Sequence, residues 1–528
     1  MIRSGPTLDR RGFLRVGSLG AGAVGLGVLG LGAASCSSGS AADPATPLDY
    51  ITATDPEIAA AEQARGWNGR EVTAALTAAV ATVDLGGRLV DTWSYGGRAV
   101  APELRASVRD KMLVSVRNEL PTDTTVHWHG IRIRNDMDGA APATQDPIGQ
   151  GGDFLYDFVV PDPGTHWYHS HSGLQADRGL FGALVVEDPN DTSGADVDVT
   201  LVLDDWVDGL GTTPEAVLAA LNPAISGGHG GHGGHGGGAP AEPTPEESSV
   251  AQALVNGGHG SSVPLGGMTQ HIGYPLHLIN GRPPNDPEVV TAAPGSRVRL
   301  RIVNAAAETP YRFAVAGHEL TVIAADGFDV TPATTDTLII GMAQRYDVLV
   351  TLKSGAWPVV AKVEGRDGYA STVLRSTDAA PLSAPDVGGV LPELGGRLLA
   401  ESELRPAESV RLETRSPDRD YRVELIQAGD RYVWGMAGAD AGKLVMRQGE
   451  RIRITMANTS TMWHPMHTHG HTFAVPDYGG LRRDTVNVLP GTELAIEFDA
   501  DNPGEWMFHC HNAYHFEAGM TANLRYIR

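Results

Sequence analysis

Cysteine is all but absent from this chain: Cys36 and Cys510 are the two among 528 residues. Cys36 closes the N-terminal leader, so the body carries one thiol and no internal disulfide can form. A lone cysteine is more often a small buried hydrophobe than a working residue, and its neighbours must decide. Positive charge is also scarce. There are 40 Lys and Arg against 63 Asp and Glu, and the net charge of −23 excludes a nucleic-acid binder on bulk electrostatics. No segment after the leader is apolar enough to span a membrane. Glycine and proline are plentiful instead, 66 and 34, beside short alternating apolar runs. That pattern points to β-structure with many turns.

The leader, LDRRGFLRVGSLGAGAVGLGVLGLGAASC, resembles a bacterial twin-arginine export signal through Arg10–Arg11, Phe13–Leu14 and a mild Gly-rich apolar run. Ala33-Ala34-Ser35-Cys36 resembles a lipoprotein cleavage box, with Ala33 where Leu is usual. It would make Cys36 the lipid-bearing first residue of the mature protein and the one point of membrane association. An ordinary cleaved signal or an uncleaved anchor stands as the alternative. Each version places the working protein outside the cytoplasmic membrane, at the cell surface or in a periplasm-like space.

The body repeats one unit three times. Val114–Asn118, Leu300–Asn304 and Ile454–Asn458 are alternating strands that each end in Asn. Pro163-Gly164, Ser354-Gly355 and Pro503-Gly504 follow, each leading into a Trp-containing strand. Three Greek-key β-sandwiches of short antiparallel strands are expected at 65–190, 195–378 and 400–528. Residues 37–64 and the Pro-rich 379–399 read as linkers, and 226–262 as a His/Gly-rich insertion without a fold of its own.

Counting from the landmarks locates the chemistry. Nine and eleven residues beyond Asn118 and Asn458 stand His127 and His129, and His467 and His469. Five and seven beyond Gly164 and Gly504 stand His169 and His171, and His509 and His511. The same offsets in the middle copy give Phe313, Val315, Val360 and Lys362. Each pair is His-x-His on a strand, whose period of two turns both imidazoles to one face. Eight imidazoles meeting across a pseudo-symmetric contact between the first and third domains make a metal cluster. In His509-Cys510-His511 the thiol must face the other side of the strand. There Cys510 can bind a different metal with His464, His515 and a long Met520 ligand, the donor set of a blue-copper electron-transfer site.

The motifs HWHG, HSH, HPMHTHGH and HCHNAYHFEAGM resemble the four copper signatures of the multicopper oxidases across essentially the whole mature chain. VHWHGIRIRNDMDG, DPGTHWYHSHSGLQ, YPLHLINGR and the leader bring it nearest to actinobacterial copper-resistance oxidases. The resemblance implies an all-β fold of three cupredoxin-like domains and four copper ions: one type 1, one type 2 and a type 3 pair. It assigns Cys510, His464, His515 and Met520 to type 1, and His127 and His467 to type 2. His129, His169, His171, His469, His509 and His511 go to the type 3 pair. Electrons would pass through Cys510 to the cluster, where four reduce O₂ to two waters. Asp138 resembles the family's proton-donating acid, and an ordinary turn Asp before Gly139 is its other reading. Where many bacterial relatives carry a second acid after the last type 1 histidine, this chain has Phe516, with Glu517 next.

The reducing substrate has two candidate signs. Met462, two residues before His464, offers a thioether suited to Cu(I), or plain packing. GGHGGHGGHGGG, residues 227–238, is either a flexible metal-binding tract or an idle linker. The expected activity is oxidation of Cu(I) to Cu(II) in copper resistance. A laccase acting on phenols and aromatic amines is the alternative, and a non-catalytic copper-sequestering protein the second. Asp484 could orient a copper ligand, with an ordinary loop Asp the preferred reading, and His166, His271, His277, His318 and His471 read as structural or surface residues.

Overall fold

The computed structural model describes residues 48–222, 242–379, 386–429 and 431–528. The leader, 1–36, and the tract 227–238 lie outside the described residues. Within the unit Asp49–Arg528 the chain builds three two-sheet sandwiches, of four and four, six and six, and six and five strands. Each has its own apolar core, centred on residues such as Trp128, Phe313 and Trp506. The all-β expectation holds.

One detail of topology differs from an antiparallel plan. In every sandwich the Asn-ended strand pairs in parallel with the domain's first long strand: Lys111–Asn118 with Glu71–Asp84, Arg297–Asn304 with Val197–Trp206, and Arg451–Asn458 with Arg419–Gln427. The antiparallel neighbour lies on the other side.

The Asn landmark has a physical cause. Asn118, Asn304 and Asn458 are buried, and each Nδ2 donates to two carbonyls that close a loop. The acceptors are Thr122 and Ile148, Thr309 and Ile340, and Met462 and Val488, at 2.7–3.0 Å. Each Oδ1 accepts from the backbone two residues on. No other side chain of that size supplies two donors and an acceptor in one plane. The first acceptor lies four residues beyond Asn in the outer domains and five in the middle one. That extra residue shifts the middle register, so Val360 pairs with Ala314 rather than with Phe313. The counterparts of the outer histidines are therefore Ala314 and Ala316, a one-residue correction to the offsets.

The glycines of the second landmark, Gly164 and Gly504, both hold φ +140°. A Cβ on Gly164 would lie 2.4 Å from the Gly327 Cα, and one on Gly504 would lie 2.4 Å from the Asn135 Cγ. These close approaches bring the domains together around the histidine strands.

The linkers have more structure than their composition suggests. Helix Pro56–Ala64 lies in the N-terminal segment, and Arg65 reaches Asn502 of the third domain at 2.8 Å. Within 226–262, Thr244 and Glu247 form a reciprocal cap on helix Pro245–Asn256. In the second linker Leu398–Leu399 joins a middle-domain sheet beside Thr337–Ile340. Capping and strand addition, rather than bulk composition, decide these segments.

Candidate metal centre

The two histidine-bearing strands of each outer domain pair in the same register. His127 lies opposite His169 in the first domain, and His467 opposite His509 in the third. The domains then face each other about a pseudo-twofold axis. His127 stacks on His469 with ring centroids 3.8 Å apart, and His129 stacks on His467 at the same 3.8 Å. His171 lies 5.4 Å from His509 and His511 lies 5.3 Å from His169, centroid to centroid. All eight rings thus form one cluster.

Hydrogen bonds orient the rings and leave their inner nitrogens bare. Nδ1–H donates to a backbone carbonyl in His127 (Asp138, 2.8 Å), His467 (Asp484, 2.9 Å), His169 (Ser170, 2.9 Å) and His509 (Cys510, 2.9 Å). Nε2 of His127, His169, His467 and His511, and Nδ1 of His129, are buried without a partner. The Nε2 atoms of His469 and His509 face each other at 3.0 Å. A buried bare lone pair is costly unless something takes it. Burial and neighbouring imidazoles also hold His129, His169, His469, His509 and His511 well below the usual histidine range, and His171 at about 3. Neutral rings with inward lone pairs are the form that binds transition metals.

The second site lies behind the same strand. Cys510 Sγ stands 3.7 Å from His464 Nδ1 and 3.6 Å from His515 Nδ1, which are 3.1 Å apart. Both ring nitrogens and the thiol sulfur converge on one point, as donors around a single cation do. Burial holds His464 at about 3 and His515 well below the usual histidine range, and it pushes the Cys510 thiol up. A thiol so buried becomes a thiolate readily only when a cation replaces its proton. Met520 is buried, its N–H donating to the His515 carbonyl (3.0 Å) and its carbonyl accepting from Cys510 N–H (3.1 Å). The short helix Ala513–Glu517 sets His515, with Asn512 Oδ1 accepting from the backbones of Tyr514 and His515.

Multicopper oxidase family models match residues 77–191, 253–379 and 416–527, one in each sandwich. The chain is 41% identical to "Multicopper oxidase MmcO" of Mycobacterium tuberculosis over 99% of both chains. The chain belongs to the multicopper oxidase family. It is 27% identical to "Copper resistance protein A homolog" of Pseudomonas syringae pv. tomato, covering 88% of this chain and 93% of that one. The crystal structure of a laccase from Botrytis aclada shares the fold, with a TM-score of 0.66, 24% identity, and coverage of 87% and 88%. Multicopper oxidases hold four copper ions, one type 1, one type 2 and a type 3 pair, and use O₂ as acceptor. The bare inward nitrogens and the Cys510, His464 and His515 donors fit that set.

Two aspartates frame the cluster of this multicopper oxidase. Asp138 accepts from His127 Nδ1 through its carbonyl and from His469 Nδ1 through Oδ2, at 2.8 Å. Asp484 accepts from His467 Nδ1 through its carbonyl and from His129 Nε2 through Oδ1, at 3.2 Å. Each carboxylate therefore orients a histidine of the opposite domain. The aspartates are not equivalent. Arg345 of the middle domain, fully buried, grips Asp484 with two N–H···O bonds of 2.7 and 2.5 Å. That guanidinium holds the Asp484 carboxyl well below its usual range despite burial. Asp484 thus takes the orienting role and not that of an ordinary loop residue, and the sequence favours the latter because its partners lie 139 and 355 positions away. Gly130 of HWHG makes room: a Cβ there would stand 2.4 Å from Arg345 Nη2.

Two other expectations change. Met462 is fully buried in the third-domain core, its carbonyl accepting from Asn458, so it forms wall rather than a landing point for substrate. Half-buried Met268 bridges its backbone from the middle domain. His271, expected as a structural or surface residue, is buried beside the Cys510 site. Its ring lies 5.7 Å from His515, and its Nδ1 stands 3.1 Å from Glu308 Oε1. Nothing in its sequence spacing marks it. By contrast His277 and His471 pair with Tyr311 and Tyr526 hydroxyls at 2.9 and 2.7 Å, structural roles as expected.

Proposed function

We propose that this multicopper oxidase oxidises Cu(I) to Cu(II) and couples four such oxidations to reduction of O₂ to two waters. The observation that carries the reading is the cover over His515. That ring is fully buried, with Trp434 packed on it at 4.0 Å and Tyr432 and His271 around it. A phenol ring cannot lie against the His515 edge, whereas a small ion needs only nearby donors. His271 and Glu308 offer imidazole and carboxylate on that side. The likeness to copper resistance proteins supports the same substrate.

In this reading His464, Cys510, His515 and Met520 hold the type 1 copper. His127 and His467 hold type 2, and the other six cluster histidines hold the type 3 pair. The coppers supply one-electron redox chemistry and O₂ reduction. The chain supplies the rest. Cys510 and the flanking His509 and His511 join the two sites through a few covalent bonds. Outer hydrogen bonds orient the imidazoles, and Asp138 stands against the cluster with Oδ2 bonded to His469 and Oδ1, free of a hydrogen-bond partner, as the atom from which a proton would be handed over. The resemblance of the leader to a twin-arginine lipoprotein signal supports a site of action outside the cytoplasmic membrane, with a lipid on Cys36 as the proposed anchor.

The test is O₂ uptake by copper-loaded protein, comparing kcat/KM for weakly chelated Cu(I) with that for a dimethoxyphenol. Cu(I) should win by at least tenfold, and His271→Ala should shrink that margin. A phenol that wins makes the protein a laccase, and no O₂ uptake with either leaves copper sequestration.

A further inference from the structure

Turning O₂ into two waters consumes four protons with four electrons, and this cluster is buried. Asp138 serves the side where His127 and His469 stack. On the face formed by His171 and His509 the contacting side chain is Phe516, at ring-centroid distances of 5.3 and 4.8 Å, and it carries no proton. Glu517 stands instead beside Glu215 of the helix Pro214–Leu221. Asp484, clamped by Arg345, has no proton to give.

A cavity of about 40 Å³ opens on the Phe516 face, large enough for more than one water. Its wall includes His169, His171, His509, His511, Phe516 and one acid, Asp177. Asp177 is 3% exposed. Its Oδ2 accepts from the hydroxyls of Tyr514 (2.6 Å) and Tyr274 (3.1 Å), and its Oδ1 has no partner. The adjacent cation, Arg178, is committed to Asp208 and Glu215. The surrounding Asp205 and Asp208 carry charge of the same sign. Burial and these neighbours push the Asp177 carboxyl well above its usual range. Both phenolic O–H bonds go to Oδ2, which leaves Oδ1 as the oxygen free to carry the proton.

We propose that Asp177 is a proton-delivering residue for O₂ reduction, acting through water in this cavity. The O–H bond at Oδ1 breaks, and an O–H bond forms on hydroxide derived from O₂, giving water. No electron moves in the step. The carboxylate left behind is held by Tyr514 and Tyr274, and bulk water returns the proton before the next turnover. The proposal rests on the oxidase reading but not on Cu(I) as donor.

The test therefore avoids the donor. Copper-loaded protein reduced with dithionite is mixed with O₂, and re-oxidation is followed optically across pH. Asp177→Asn should keep its copper and re-oxidise at least tenfold more slowly, while Asp177→Glu recovers most of the rate. Infrared spectra of the copper-free protein at pH 7 should show a protonated carboxyl band that Asp177→Asn removes. Tyr274→Phe, which leaves Asp177 in place but takes one bond from its anion, should move the alkaline limb of the re-oxidation profile to higher pH. Equal re-oxidation rates for Asp177→Asn and wild type, no missing infrared band, or an unmoved limb in Tyr274→Phe would each overturn the assignment. If Cu(I) fails as substrate while re-oxidation still depends on Asp177, the donor reading falls and this one stands.

Discussion

Cutting the Arg345–Asp484 pair tests whether the ligand-free middle domain governs the metal cluster. Both side chains are fully buried and joined by two short bonds. Asp484→Ala strands a guanidinium away from water, and breaking a buried pair in this way costs about 3–5 kcal/mol. Asp326 remains, 3.6 Å from Arg345 Nη1, but it already accepts from Arg483 at 3.1 Å. Its presence puts the expected loss near the lower end, about 3 kcal/mol. His129 and His467 lose their orienting partner at the same time, and such outer contacts change metal affinity by about 10- to 100-fold. Urea unfolding of the copper-free protein measures the first effect, and copper retention under a competing chelator the second. Arg345→Met with Asp484→Leu removes both charges, so it should recover most of the stability and none of the copper retention. The reasoning is refuted if Asp484→Ala loses less than about 1 kcal/mol, or if the double variant keeps its copper like wild type.

Two further outcomes follow from the same neighbourhood. Gly130 holds φ +85°, and a Cβ would stand 2.7 Å from Asp484 Oδ2, so Gly130→Ala should cost about 3 kcal/mol or more in urea. Glu517 is half-buried and raised to about 7 by burial and by Glu215. Between its unfolded value near 4.5 and about 7 the folded state keeps a proton that the unfolded state releases, so stability falls as pH rises through that window. Glu517→Gln should therefore gain about 1–2 kcal/mol at pH 8, after allowing for its partial exposure, and nothing at pH 4. A gain independent of pH would contradict that assignment.

Much of this protein is legible from period and spacing. Strand alternation locates the His-x-His faces, and the Asn and Gly landmarks repeat because a buried three-point clamp and a φ near +140° are needed in each outer sandwich. The register of His127 against His169 and of His467 against His509 follows from those local rules. What escapes is whatever depends on which domain packs on which. Asp484 looks like any loop carboxylate until Arg345 arrives from the middle domain. His271 lacks a ligand offset because it reaches His515 from another sheet. Met462 looks like a soft ligand near His464, but the core closes over it.

The middle domain explains why a third sandwich is retained where two would supply every histidine. It contributes Arg345 and Asp326 to one end of the cluster and His271 and Glu308 to the outside of the Cys510 site. The first pair breaks the symmetry between Asp138 and Asp484. One carboxylate is left beside the cluster without a cation, and its twin is locked as an anion by two bonds from Arg345. A pseudo-symmetric cage of eight imidazoles would offer protons equally from both ends. With Arg345 in place, one end keeps a carboxylate that no cation grips while the other holds geometry. Arg345→Met alone should therefore loosen both properties, lowering copper retention and opening a second, Asp484-dependent limb in the pH profile of O₂ re-oxidation. An unchanged profile would mean that the middle domain acts as spacer and nothing more.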